Sequence, residues 1–176
     1  NMNNGLFKVC DRVYQLRGFD IASMTVIEGD SGLILIDPLT TAEVARAALD
    51  LYYAHRPRKP VRCVIYSHSH IDHYGGVMGV ISSEEVAQGK VEVIAPDRFM
   101  EETSGEFVLA GNAMLRRGQF QIGILLEKSA WGQIDTGLGK GVARGRMTLI
   151  APTLVIREAT ETHIIDGVEM IFQLAP

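Results

Sequence analysis

The strongest constraint on this chain is the run Val61-Arg62-Cys63-Val64-Ile65-Tyr66, followed at once by Ser67-His68-Ser69-His70-Ile71-Asp72-His73. A short, β-branched segment bounded by polar residues reads as a buried strand. Four groups able to bind a cation then fall within six residues, His68 to His73. Residues two apart on an extended segment point the same way, so His68 and His70 can grip one ion. Asp72 and His73 are adjacent and can turn towards a neighbouring one. The four side chains are therefore expected to converge. Imidazole with carboxylate suits zinc, and also iron or manganese. Two metals about 3.5–4 Å apart would clamp a bridging hydroxide and polarise a substrate oxygen. Three of the five histidines lie in this window, which sets it apart from a solvated polar loop. His55 and His163 stand outside it and are expected in structural or exposed positions.

The rest of the chain predicts a layered α/β frame. Leu6 to Val9 and Arg12 to Leu16 are short apolar-rich runs. Ser23 to Glu28 and Leu33 to Asp37 flank Gly29-Asp30-Ser31-Gly32, the pattern of a hairpin. Thr40 or Thr41 can cap a helix that has Glu43 in its first turn. Ala45, Ala48, Leu49, Tyr52 and Tyr53 carry its apolar spacing to Arg56, and Pro57 and Pro60 close it. Gly75-Gly76 opens one or two helical turns over Val77 to Ile81. Val91 to Ala95 reads as a strand, and Pro96 starts a turn or helix. Residues 106–126 predict a helix with a break near Gly118, since glycine costs a helix about 1 kcal/mol relative to alanine. The glycine-rich stretch 128–146 predicts loop. Thr153 to Ile156, His163 to Ile165 and Met170 to Leu174 predict strands, the last two joined by the turn Asp166-Gly167. Strands interleaved with helices favour the α/β class.

Composition narrows the function. Lys+Arg 17 against Asp+Glu 21 gives a net charge of −4, which argues against a basic surface for nucleic acid. Hydrophobic residues make up 47% of the chain, enough for a packed core. Cys10 and Cys63 cannot staple a fold of 176 residues, and Cys63 reads as a buried small hydrophobe. No apolar run reaches about 18 residues, so no transmembrane helix is expected. The first residues lack the features of a signal peptide.

Asp37 at the end of its strand reads in two ways: a carboxylate that orients a metal-binding histidine, or a turn residue before Pro38. Arg116-Arg117 could serve a sulfate or phosphate group with guanidinium forks, or simply face solvent on a helix. Gly137-Leu138-Gly139-Lys140-Gly141 lacks the strand before it and the helix after it that a phosphate-binding loop needs.

His68-x-His70-x-Asp72-His73, behind a strand and before Gly75-Gly76, resembles the metallo-β-lactamase fold superfamily. Asp37 matches that superfamily's upstream motif. The resemblance narrows to the alkyl sulfatase branch through Gly18-Phe19-Asp20, Met24 to Gly29, Asp37 to Thr41 and Ser67 to Gly76. It continues in Leu109 to Met114 with Arg116-Arg117, in Gly137-Leu138-Gly139, in Ile165 to Val168 and in Phe172 to Leu174. It departs at Phe120 and Ile122, where the family pattern has tyrosines.

The resemblance implies an αββα sandwich of which residues 1–176 are the first, incomplete part. It implies hydrolysis of primary alkyl sulfates, dodecyl sulfate among them, with two zinc ions. His68 and His70 would hold one ion, and Asp72 and His73 the other, with Asp72 essential to catalysis. Asp37 would support the site, and Asn112, Arg116 and Arg117 would meet the substrate. It further implies remaining ligands after residue 176, a dimerisation domain, a sterol-carrier-like domain, a homodimer, and a periplasmic or secreted location. Truncation would leave one apolar sheet face exposed. It would also leave the chain alone weak in metal binding and in activity. The alternatives are a related hydrolase acting on a lactam, thioester or phosphoester, and a non-catalytic metal-binding or interaction module.

Overall fold

In the computed structural model, which describes residues 4–136 and 141–175, a chain of β-strands opens as a meander. Strands β1 (Gly5–Cys10), β2 (Val13–Arg17), β3 (Met24–Glu28) and β4 (Leu33–Ile36) pair antiparallel in sequence order. Pro38 and the turn around it then redirect the chain into helix α1 (Ala42–His55). Thr41 caps this helix, its hydroxyl accepting from the Val44 N–H. Ala42, Ala45, Ala48, Leu49 and Tyr52 form its buried stripe. The crossover returns through β5 (Val61–Ile65), parallel to β4, and the order continues with β6 (Glu92–Pro96) and β7 (Leu154–Ile156), also parallel. The result is a seven-stranded sheet in the order β1-β2-β3-β4-β5-β6-β7.

Between β5 and β6 lie two 3₁₀ turns, Ile71–His73 and Val77–Gly79, and a short helix α2 (Ser83–Ala87). The sequence reading missed α2. Its signal was Ser82-x-x-Glu85, which forms a capping box: the Ser82 hydroxyl accepts from the Glu85 N–H, and the Glu85 carboxylate accepts from the Ser82 N–H. Helix α3 (Phe99–Gln121) corrects a second expectation, since it begins earlier and runs unbroken through Gly118. A Cβ at Gly118 would meet nothing, so this glycine lies on an open face and only weakens the helix. The stop comes at Ile122, with Gly123 taking the left-handed conformation that ends helices. Four of the five residues 137–141 of the glycine-rich segment lie outside the described residues.

One face of the sheet packs on α1 and on Phe99, around Leu16, Met24, Val26, Leu35, Val64 and Tyr66. The opposite face is not bare, contrary to expectation. Strands β8 (Thr160–Ile165) and β9 (Val168–Gln173) form a hairpin laid over it. Ile165, Val168, Met170 and Phe172 bury Ile34, Cys63, Ile65, Ile94 and Ile156 in a second core. The alternation of half-buried Val168, Met170 and Phe172 with exposed Glu169, Ile171 and Gln173 along β9 follows from that one-sided packing. Strand β8 starts three residues before the sequence pattern suggested.

Asp166 fixes the hairpin to the sheet. Its carboxylate accepts from the Ser31 N–H, the Ser31 hydroxyl and the Gly32 N–H, across 135 residues of sequence. Residues 143–148 form a strap on the helical side. The Ala42 N–H donates to Arg146 O, and the Thr148 N–H and hydroxyl donate to Gly75 O.

Candidate functional site

Parallel strands end in register at the site, with Ile36 of β4 opposite Ile65 of β5. Asp37 follows the first strand and Ser67 to His73 follow the second. The cluster thus sits beyond the carboxyl ends of adjacent parallel strands, where α/β sheets place their ligands. The Asp37 N–H still donates to Ile65 O at 2.9 Å, so the turn starts as an extension of the ladder. It then tightens: the Leu39 N–H donates back to Asp37 O at 2.8 Å, and Asp37 and Leu39 both have positive φ, 58° and 62°. For a buried, bulky leucine this is a strained conformation, costing about 1–3 kcal/mol. The fully buried Asp20 carboxylate offsets that strain, accepting from the N–H groups of Thr40 (2.9 Å) and Ala143 (3.0 Å). Gly76 lies against the same turn, and a Cβ there would strike Pro38 O. The backbone after His73 can close on Asp37 only because residue 76 has no side chain.

The turn presents a half-buried carboxylate to the histidines. Asp37 Oδ1 accepts from the Ser67 N–H at 2.8 Å, and Oδ2 accepts from the Ser67 hydroxyl at 2.7 Å. Asp37 Oδ2 also lies 2.8 Å from His73 Nδ1. This bond leaves His73 Nε2 facing Asp72 Oδ2 at 3.2 Å. Ser67 Oγ lies 2.9 Å from His68 Nδ1, which turns His68 Nε2 towards His70 Nδ1 at 3.0 Å. The His68 ring centroid is 4.0 Å from that of His73 and 4.6 Å from that of His70. His68, His70, Asp72 and His73 are therefore brought together.

They come together as two pairs, His68 with His70 and Asp72 with His73. Among the described residues no three His, Cys, Asp or Glu side chains form a group able to hold one ion. The donor chemistry of each pair nonetheless suits a divalent metal. Asp37 engages the outer nitrogen of His73, the arrangement that fixes a ligating imidazole. His73 Nε2 and Asp72 Oδ2 face each other at 3.2 Å, and both are donor types that a divalent cation accepts.

The charges agree with that geometry. Burial opposes a charge on His73, but its hydrogen bonds to Asp37 and Asp72 outweigh burial and push its pKa up to about 9. Burial would raise the Asp72 carboxyl, yet the His73 bond holds it below the usual range. Burial, then the neighbouring His73 and His70, lowers His68 and favours its neutral, metal-binding form.

The structure also shows participants that the sequence reading did not single out. Ser67 joins Asp37 to His68, a role foreshadowed by its place directly after the buried strand. Glu106 of α3 brings Oε1 to 3.9 Å from His70 Nε2, and no local pattern marked it. Asn112, Arg116 and Arg117 are exposed on α3 and make no side-chain hydrogen bond or ion pair with described residues. Arg117 shares the helix face of Glu106 but lies about 16 Å farther along the axis. Neither arginine contacts the cluster. His163 is on β8, bonded to Glu161 at 2.8 Å, and His55 is exposed at the end of α1. Cys63 is buried under the hairpin, and burial pushes its thiol pKa up. No helix among the described residues is long and apolar enough to cross a membrane.

The sequence model of the metallo-beta-lactamase superfamily matches residues 17–163. The chain is 56% identical over 176 residues to the alkyl/aryl-sulfatase BDS1 of Saccharomyces cerevisiae, covering 100% of this chain and 27% of that protein. It is 51% identical over 173 residues to a linear primary-alkylsulfatase of Pseudomonas sp., covering 98% of this chain and 26% of that one. The solved structure of the stereoselective inverting sec-alkylsulfatase Pisa1 from Pseudomonas sp. superposes with a TM-score of 0.90 at 56% identity, over 97% of this chain and 27% of that chain. The chain spans about a quarter of the length of the curated relatives it matches.

Proposed function

The chain belongs to the metallo-β-lactamase superfamily, and from that premise we propose that it is part of the catalytic domain of a zinc-dependent alkyl sulfatase, cleaving an alkyl sulfate with water to alcohol and sulfate. The observation that carries the reading is the pairing of His68 with His70 and of Asp72 with His73 beyond the carboxyl ends of β4 and β5. Two pairs side by side match a two-ion centre in which each pair contributes to one ion. Zinc, when bound, would supply Lewis acidity at the ester oxygens and make water nucleophilic at neutral pH.

The chain's own residues prepare that chemistry. Asp37 holds His73 by Nδ1, and Ser67 holds His68 by Nδ1, so each ring presents Nε2 to the centre. Asp72 contributes the carboxylate that faces His73 Nε2 and is the residue on which activity should depend most. Asn112, Arg116 and Arg117 remain the proposed sulfate contacts, Arg117 foremost because it shares the face of Glu106. The matched relatives support sulfate esters over lactams, thioesters or phosphoesters, and they include primary and secondary alkylsulfatases by name.

The test is sulfate release from dodecyl sulfate and from 2-octyl sulfate, with zinc and after chelation. It uses this chain alone and this chain within a polypeptide of its relatives' length. The longer protein is expected to release sulfate only with metal. The isolated chain is expected to bind zinc weakly and show no useful turnover, since two donors per ion fall below the three or four of stable sites. A longer protein that cleaves neither ester in the presence of zinc would overturn the proposal.

A further inference from the structure

At the amino end of β5, away from the histidines at its carboxyl end, lies a cavity of about 410 Å³. Five residues of strand separate the two ends, roughly 16 Å. Leu49, Val61, Val80 and Ile81, all buried, supply the cavity's apolar floor, and Met78 covers part of its side. Arg46, Arg58 and Lys59 supply its rim.

The rim is preorganised and short of counter-charge. Tyr53 carries the Arg58 guanidinium 4.4 Å above its ring, and its hydroxyl donates to Lys59 O at 2.7 Å. Lys59 Nζ is engaged by Gly29 O at 3.1 Å. Arg58 has only an exposed contact with Asp50, at 3.9 Å. Arg46 has no hydrogen-bond or ion-pair partner among the described residues. The one carboxylate lining the cavity, Glu85, accepts from the Ser82 N–H and hydroxyl in the α2 capping box. Two guanidinium groups thus face a pocket whose acid is already committed to Ser82.

We propose that this cavity is a second binding site, separate from the histidine cluster, for a small organic oxyanion with an apolar body. Arg46 and Arg58 take the sulfate-, sulfonate-, phosphate- or carboxylate-type head, for which guanidinium forks are suited. Leu49, Val80 and Ile81 take the body. The volume lies within the range of small-molecule sites.

The test is an amide-resolved NMR titration of the 176-residue chain, chelator-treated, with hexane-1-sulfonate, which is not a sulfate ester and is not hydrolysed. Inorganic sulfate supplies the head alone and hexan-1-ol the body alone. Saturable shifts are expected at Arg46, Leu49 and Ile81 and not at Ser67 to His73, with a Kd raised at least tenfold in R46E/R58E. Both arginines are exposed, and R46Q/R58Q, expected to raise Kd at least threefold, carries the test if charge reversal disturbs the fold. The proposal is overturned if no shift saturates, if shifts appear only at the histidines, or if both double variants bind as the parent does. Equal affinity for sulfate alone or for hexanol alone would also overturn it, since head and body are then not read together.

Discussion

Asp37 and Asp166 are the same device used at two places. Each follows a strand, each has positive φ, and each grips a serine by its N–H and its hydroxyl, Ser67 for Asp37 and Ser31 for Asp166. They differ in one partner. Asp166 spends its remaining capacity on the Gly32 N–H, whereas Asp37 spends it on His73. A carboxylate surrounded by backbone and hydroxyl donors only locks two segments together. The same carboxylate with a histidine in its coordination fixes a ring nitrogen and so prepares chemistry. The clasp alone does not make a site; the third partner does.

That contrast can be broken most sharply by activity. In a longer, zinc-loaded protein, Asp72→Ala should reduce sulfate release below detection, while Asp166→Ala should leave kcat within about twofold at a temperature where both are folded. Loss of catalysis in Asp166→Ala without unfolding would erase the distinction. Asp37→Ala comes next, with an expected loss of about 10–100-fold in zinc affinity or activity, the range for a carboxylate that supports a ligating histidine. Isothermal titration and kcat/KM would read it, and Ser67→Ala should follow in the same direction with a smaller effect.

Stability should show the reverse order. Asp166→Ala leaves the Ser31 and Gly32 donors without their acceptor and should cost about 1–3 kcal/mol, measured by denaturant titration. Ser31→Ala should cost less, because the backbone donors keep their partner.

The smallest effects are in pH. The Asp166 carboxyl is raised by burial but lowered further by Ser31 and Gly32, so its folded pKa lies below the unfolded one. Its contribution is therefore present above about pH 4 and lost as pH falls through the depressed value. His73 is the opposite case. With its folded pKa near 9, its contribution in the metal-free chain is complete below about pH 6.5 and lost as pH rises towards 9. Asp166→Asn should flatten the acid limb of a stability profile and His73→Gln the alkaline limb. Identical profiles in both variants would count against the contrast.

Much of this was legible in the sequence. The buried strand at Val61, the helix capped at Thr41 and the gathering of His68, His70, Asp72 and His73 all follow from local pattern. The rest depended on contacts between distant segments. Asp37 read equally as a turn residue, because only the register of β4 with β5 brings it against Ser67 and His73. Glu106 could not be singled out, since what places it is the packing of Phe99 on Tyr66 and Tyr74. The covered sheet face was missed because β8 and β9 each look like ordinary half-polar strands until they are folded over Ile34 and Ile65. Gly118 misled through propensity alone, where an exposed helix face tolerates what an average penalty forbids.

The span between Ser31 and Asp166 also sets a schedule for synthesis. A ribosome adds about 5–20 residues per second, so the acceptor leaves the tunnel roughly 7–27 s after the donors it must find. Throughout that interval the isoleucines of the nascent sheet have no hairpin above them. The growing polypeptide is thus most exposed to aggregation, and most dependent on chaperone capture, just before the hairpin of β8 and β9 emerges.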